Sequence, residues 1–382
     1  MSNWVAMSGL YFHIPFCRRV CAYCDFFKSV DVQRLDAVLK AMERELPRAV
    51  EWLSDRSVRT VYFGGGTPSL CPPDRLQRLV DVAGSLLDCS RIEEFTVEAN
   101  PDDMTEEWLD ALAHTGANRL SVGIQSFDDA ELRLMNRRHT AAQAVDSVFR
   151  AQRAGFTNLT IDLIFGVAGF GEEVLCRNLE QTLALGVPHI SAYHLTIEPG
   201  TAFDRRIGAG HFRTVDEEVS EREFQLIHRM LTEAGYEHYE VSNYALPGYR
   251  ARHNSAYWNG MEYLGIGPAA HSFNGRSRRW VVSSIDRYLE GVGTNAIYEG
   301  ETLSLQDHYN EYLMTSLRTS DGVDLVQVEA RFGEERLMRL LQQAIPFERA
   351  GELRRTEDNR LVIPPEAFLV SDAVIGALFE TD

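Results

Sequence analysis

Apolar positions in the first two-thirds of the chain fall into two alternating periods. Short runs with strand spacing occupy Leu10–Ile14, Val58–Phe63, Glu94–Glu98, Arg119–Ile124, Leu159–Ile164 and Ile190–Leu195. Between them lie helical stripes over Val32–Trp52, Pro73–Leu87, Thr105–Thr115, Ala141–Ala154 and Glu172–Leu185; the first carries Leu35, Val38, Leu39 and Met42 on one face. Strand followed by helix, repeated with short connections, predicts a parallel sheet covered by helices. Six strands fall short of the eight that close a barrel, so the expected fold is α/β, an open, TIM-like partial (β/α)6 barrel. Its ligands belong at the C-terminal ends of the strands.

The texture changes after Ala234. Tyr239–Trp258 is dense in aromatic and polar residues. From Ser304 onward the pattern turns helical, with predicted helices over Leu325–Phe332 and Glu334–Ala344, the second stopped by Pro346. A hairpin over Gly351–Ile363 and a last helix near Ser371–Phe379 complete a winged-helix-like α+β pattern. The organisation read from this is a barrel over 1–238, a connecting segment over 239–310 and a C-terminal domain over 311–382.

Charge narrows the class of partner. Lys and Arg number 38 against 56 Asp and Glu, a formal −18, which repels phosphate backbones. Nucleic acid is therefore not an expected partner, and the winged-helix-like region reads as structural or protein-docking. No apolar run reaches the ~20 residues that span a bilayer, and Met1–Ala6 lacks a basic stretch followed by an apolar one. A cytoplasmic protein is expected, and the six cysteines fit a reducing compartment: three stand together and Cys71, Cys89 and Cys176 are scattered.

The clustered three are Cys17, Cys21 and Cys24, just after the first strand. Three thiolates can hold three irons of a [4Fe–4S] cluster and leave one iron open, whereas an electron-carrying cluster normally has four. A structural zinc site with His13 as fourth ligand, or buried free thiols, are the alternatives. The next strand ends in Gly64-Gly65-Gly66-Thr67, where backbone can approach a ligand closely; no Lys-Ser/Thr follows, so it is not a phosphate-binding Walker loop. Later strand ends carry Glu98, suited to ribose hydroxyls, then Gln125, Arg137 and Asp162.

With these residues in place, the chain resembles the radical S-adenosylmethionine (SAM) superfamily, and within it the coproporphyrinogen-oxidase-like branch. The Cys-x3-Cys-x2-Cys spacing and Gly64–Thr67 carry the resemblance, which runs nearly end to end. It implies a [4Fe–4S] cluster on Cys17, Cys21 and Cys24, with the amino and carboxylate groups of SAM on the open iron. It further implies that Tyr11, Tyr23, Gly65, Gly66, Thr67, Glu98, Gln125, Arg137 and Asp162 line SAM sites, with Thr196 a weaker candidate.

Within the branch two features separate carriers from enzymes. The oxidases have a further Cys two residues after the third ligand, and here that position is Phe26; they also have an extended segment before the first strand, which here begins near residue 10. The run His253-Asn254-Ser-Ala-Tyr257-Trp258 matches the His-Asn-x-x-Tyr-Trp signature of the haem chaperones of the branch. That resemblance implies haem as cargo, its transfer to an acceptor protein, and no decarboxylation of coproporphyrinogen. The alternative is a catalytic radical SAM oxidoreductase acting on a tetrapyrrole. An imidazole can ligate haem iron, which makes His253 the first candidate axial ligand and His271 the second. One departure stands out: where the branch reads Gly-Leu-Pro-Gly-Gln-Thr, this chain reads Gly166-Val-Ala-Gly-Phe-Gly171.

Overall fold

The structure, a computed structural model, describes residues 8–381. The segment read above for a leader, Met1–Ala6, lies outside them. Six strands follow the predicted order: β1 (Ser8–Ile14), β2 (Val58–Gly65), β3 (Glu94–Ala99), β4 (Arg119–Gln125), β5 (Leu159–Phe165) and β6 (His189–His194). Each is parallel to its neighbour, and helices return the chain between them. The helix predicted over Val32–Trp52 is α-helical from Leu35 to Ala49, with a tighter turn at each end.

Alternation along the strands decides which side faces what. Phe12, Val61, Phe63, Val97, Leu120, Val122, Ile161, Leu163 and Ile190 are buried against the outer helices. The intervening positions, among them Tyr62, Thr96, Glu98, Arg119, Ser121, Thr160, Asp162, His189 and Ser191, line an inner cavity. Parallel strands covered on both faces usually read as continuous apolar runs. The polar inner face here marks a barrel that encloses a site instead of a packed core.

The sheet does not stop at six strands. Its order is β12-β11-β10-β9-β1-β2-β3-β4-β5-β6-β8-β7, where the added strands are β7 (Glu237–Glu240), β8 (Asn243–Ala245), β9 (Glu262–Ile266), β10 (His271–Phe273), β11 (Ser277–Val281) and β12 (Tyr298–Thr302). The segment read as a connector over 239–310 thus pairs with both edges of the barrel: β9 runs parallel to β1, and β8 antiparallel to β6. The boundary read at 238 falls inside β7. Covering both edges leaves no barrel strand with unpaired backbone.

The C-terminal part carries β13 (Val323–Asp324), β14 (Arg354–Arg355) and β15 (Arg360–Val362) in the order β13-β15-β14, antiparallel, beside helices Leu305–Leu317, Leu325–Phe332, Glu334–Ala350 and Ser371–Leu378. Pro346 does not end its helix, as the pattern predicted; the helix runs on to Ala350 and stops at Gly351, whose φ of 80° is left-handed. The carbonyl that Pro346 leaves without a donor is that of Gln342, four residues back and exposed, where water can take the bond. No helix among the described residues is long and apolar enough to cross a membrane.

Candidate functional site

The loop after β1 is folded back on itself before any cofactor is considered. The Cys17 amide donates to the Ser29 carbonyl (3.0 Å) and the Ser29 amide to the Pro15 carbonyl (2.7 Å), which closes the loop at its base. Its far side is tied across the barrel, with the Ala22 amide on the Met135 carbonyl (2.9 Å) and the Phe203 amide on the Ala22 carbonyl (3.0 Å). A small second core of Ala22, Met135, Ile164, Val167, Leu195 and Phe203, with Tyr23 and Phe170 packed on it, supports these bonds.

Cys17, Cys21 and Cys24 are free thiols, partly buried, and line one cavity of about 460 Å³. Burial holds the Cys17 and Cys24 thiols above their ordinary range; hydrogen bonding from Thr67 and the charge of Lys28, respectively, work the other way. The Thr67 hydroxyl donates to Cys17 Sγ at 3.4 Å, and Arg137 Nη1 to Cys21 Sγ at 3.3 Å. Among the described residues, no three His, Cys, Asp or Glu side chains converge closely enough for a single metal ion. A four-iron cluster takes one thiolate per iron around a larger void, so thiols that do not converge on one point are compatible with it. His13 is also withdrawn from a zinc site: its Nδ1 is 3.1 Å from the Tyr11 hydroxyl and its Nε2 3.0 Å from the Phe27 carbonyl.

The glycine turn at the end of β2 is required by close approach. A Cβ on Gly66 would sit 2.7 Å from the carbonyl oxygens of Ile14 and Phe16, and Gly65 has a φ of 102°. The Gly65 amide donates to Glu98 Oε2 (3.1 Å) and the Gly66 amide to the Ile14 carbonyl (2.9 Å). What these two glycines leave for a ligand is carbonyl oxygen, which suits an ammonium group.

Glu98 also accepts from the Tyr62 hydroxyl at 2.8 Å, and burial lifts its carboxyl to about 7. Asp162 accepts from the Ser121 hydroxyl and is lifted to about 6, again by burial. Gln125 takes a left-handed φ of 72° at a register shift between β4 and β5, strain that turns its side chain into the cavity. Arg137 is aimed by its neighbour: Asn136, at φ 61°, ends the helical turn after Asp129–Leu134 and anchors to the Val20 carbonyl at 2.7 Å. Arg137 bonds Asn100 Oδ1 at 2.7 Å and the Gly123 carbonyl, keeps a buried Nε without a partner, and forms no ion pair among the described residues. A guanidinium in that state fits a ligand carboxylate.

The cavity thus gathers Tyr23, Gly65, Gly66, Thr67, Glu98, Gln125, Arg137, Asp162 and Thr196 with the three cysteines. Tyr11 is not on its wall. It stacks behind Tyr62 with ring centroids 6.0 Å apart. Nor is His253 offered to a ligand as expected: it is 1% exposed, its Nδ1 is 2.8 Å from the Thr60 hydroxyl and its Nε2 2.9 Å from the Tyr257 hydroxyl. With both ring nitrogens occupied in a dry core, no lone pair is left for haem iron. The helix Arg252–Trp258 that carries it plugs the barrel, its first two amides donating to the buried Glu94 carboxylate at 2.9 Å each. His271 is exposed on β10, beside Trp280, away from the cavity wall. Sequence reading missed Tyr62, Arg119, Thr160, His189, Ser191 and Tyr193 as cavity residues. Their signal was present as polar residues at every second position of apolar strands.

Comparison with known proteins agrees with this geometry. Residues 11–180 match the radical SAM superfamily and residues 303–370 the HemN C-terminal domain. A protein named heme chaperone HemW from Lactococcus lactis is 38% identical over 326 residues, covering 85% of each chain. Another of that name, from Mycobacterium tuberculosis, is 34% identical over 97% of this chain and 94% of its own. The chain belongs to the HemW family of radical SAM proteins. The HemW-family chain also shares its fold with coproporphyrinogen III oxidase (HemN) from Escherichia coli, at a TM-score of 0.82 and 23% identity over 98% of this chain and 90% of that one. Radical SAM membership implies a [4Fe–4S] cluster and SAM, and the thiol triplet, the acceptor-rich glycine turn and the unpaired Arg137 fit both.

Proposed function

We propose that this protein binds haem and passes it to an acceptor protein, on a body that holds a [4Fe–4S] cluster and SAM. The observation that carries the reading is the match, over nearly the whole chain, to relatives named as haem chaperones. Phe26 supports it, standing 63% exposed where the oxidases of the branch carry a further Cys.

Cys17, Cys21 and Cys24 would hold three irons, and the fourth would be open to SAM. When bound, the cluster supplies one-electron chemistry and a vacant iron coordination site. Around it, carbonyls of Gly65 and Gly66 would receive the SAM ammonium, and the unpartnered Nε–H of Arg137 would donate to the SAM carboxylate. Glu98 and Asp162 would accept from ribose hydroxyls, and Gln125 and Thr196 would add further polar contacts. The loop bonds at Cys17, Ala22 and Ser29 keep the thiolates in place and limit water.

Haem is cargo, and its iron ligand is not His253 in this conformation. His271 is the exposed imidazole of the two, and its side chain makes no hydrogen bond among the described residues. A haemin titration followed by transfer to an apo-haemoprotein tests the reading: a saturable Soret shift that decays as the acceptor gains haem supports it. Conversion of coproporphyrinogen III to protoporphyrinogen by the reduced, SAM-loaded protein would overturn it in favour of an oxidoreductase.

A further inference from the structure

Below the ring formed by Glu98, Ser121 and Asp162 the cavity continues to a floor built from lower inward positions of β3 to β6. Thr96 pairs in register with Arg119, and Thr160 with His189. All four line the same cavity, with Ala251 and Asn254 closing it from the plug helix and its approach. Thr96 and His189 are each 1% exposed and Arg119 is 2% exposed.

The floor has a surplus of donors. Arg119 bonds Asn158 Oδ1 (2.7 Å), the Tyr249 carbonyl (3.3 Å) and the Thr160 hydroxyl (2.7 Å), all neutral acceptors, and forms no ion pair among the described residues. The nearby Asp162 carboxylate is one rung higher and engaged by Ser121. The Tyr239 hydroxyl accepts from the Ala251 amide at 3.2 Å, which leaves its own proton for His189 Nε2 at 2.8 Å. A ring that accepts at Nε2 and is kept neutral by burial and by the Arg119 charge carries its proton on Nδ1. That Nδ1 has no partner, and neither has the Thr96 hydroxyl.

A buried guanidinium bonded only to neutral acceptors, with an unpaired N–H and an unpaired hydroxyl on the same cavity wall, suits an anion better than water: the anion accepts from all of these donors, while the Asp162 carboxylate acts on Arg119 only through space. We infer that the barrel floor is a binding site for a small monoanion of carboxylate size, held by Arg119, His189 Nδ1–H and the Thr96 hydroxyl. The cavity that these residues line holds about 460 Å³ in all. None of the three holders belongs to the set assigned to SAM, so this site stands or falls apart from the SAM reading.

Formate and acetate titrated into the full chain at constant ionic strength, by calorimetry and thermal denaturation, give the direct test, paired with bromide-soaked crystals read by anomalous scattering. Saturable binding of formate with a raised Tm, and a bromide peak in contact with Arg119, is the expected result. Thr96→Val keeps shape and burial but removes one donor, and should weaken formate about tenfold, as loss of a hydrogen bond to a charged group does. Arg119→Met should abolish binding; should it fail to fold, Thr96→Val carries the test. Only ordered water on the floor, or formate affinity unchanged in Thr96→Val, would overturn the site.

Discussion

The Nδ1 of His253 lies 2.8 Å from the hydroxyl of Thr60, a contact that joins the plug helix to the inner face of β2. Together with Tyr257 on Nε2, it makes the imidazole a structural pin. His253→Ala should therefore lower stability by about 3 kcal/mol, through two lost buried hydrogen bonds and a cavity. Urea unfolding measures this. The Soret spectrum of the folded, haem-loaded fraction should match the parent's; a changed axial signature would return His253 to the haem site.

His271→Ala should behave in the opposite way. The residue is exposed at the sheet extension, so stability should change by less than about 0.5 kcal/mol. Haemin titration should lose the shift assigned to imidazole ligation, and an unchanged spectrum would remove His271 as ligand.

The hydroxyl of Thr67 points its proton at Cys17 Sγ. A hydrogen bond to a ligating sulfur favours the more negative, reduced cluster. Thr67→Val should keep iron and sulfide at the parent's level and move the cluster potential negative in an EPR-monitored redox titration. Cys17→Ala should instead lose the chromophore together with its iron and sulfide.

Gly66→Ala probes the approach of the glycine turn to the cluster loop. The new methyl would press on the carbonyls of Ile14 and Phe16, which immediately precede Cys17. Overpacking of this kind costs about 1–3 kcal/mol. The expected readout is a lower melting temperature with reduced iron retention after anaerobic desalting.

Stability should also fall with rising pH because of Glu45, on the helix Leu35–Ala49. It is fully buried and accepts from Tyr288 (2.6 Å), the Gly267 amide (2.8 Å) and Tyr298 (3.2 Å). Burial lifts its carboxyl from 4.5 to about 7. A folded-state value above the unfolded one means the folded chain holds the proton more tightly. The contribution is complete below 4.5 and is lost as pH rises through about 7, on the order of 3 kcal/mol. Glu45→Gln should flatten that part of the curve in urea unfolding at stepped pH.

Strand positions were legible because one face of each strand had to meet a helix. Phe12, Val61, Val97 and Ile161 repeat at the spacing that gives a covered sheet, and the strand ends differ from expectation by a few residues at most. The strands at residues 237–302 were hidden because they are short and aromatic, and their pairing with β1 and β6 is a long-range fact. The thiol triplet and glycine turn were readable as local motifs. His253 shows why a motif is not enough: a motif shows that a side chain is needed, while only packing shows that Thr60 and Tyr257 take both its nitrogens in this conformation. The floor residues Arg119 and His189 showed only as polar positions alternating with apolar ones, and that they share a cavity wall follows only from the closure of the barrel.

The small second core around Ala22 and Phe203 makes the cysteine loop a clasp. The loop leaves β1 at one edge of the original six strands yet is fastened near β5 and β6 at the other. Phe170, standing where the branch carries a polar residue, adds its ring to that fastening. Whatever stiffens the thiolates therefore also draws the two halves of the open barrel together. Local opening of β5 and β6 would therefore loosen the loop that carries the thiols.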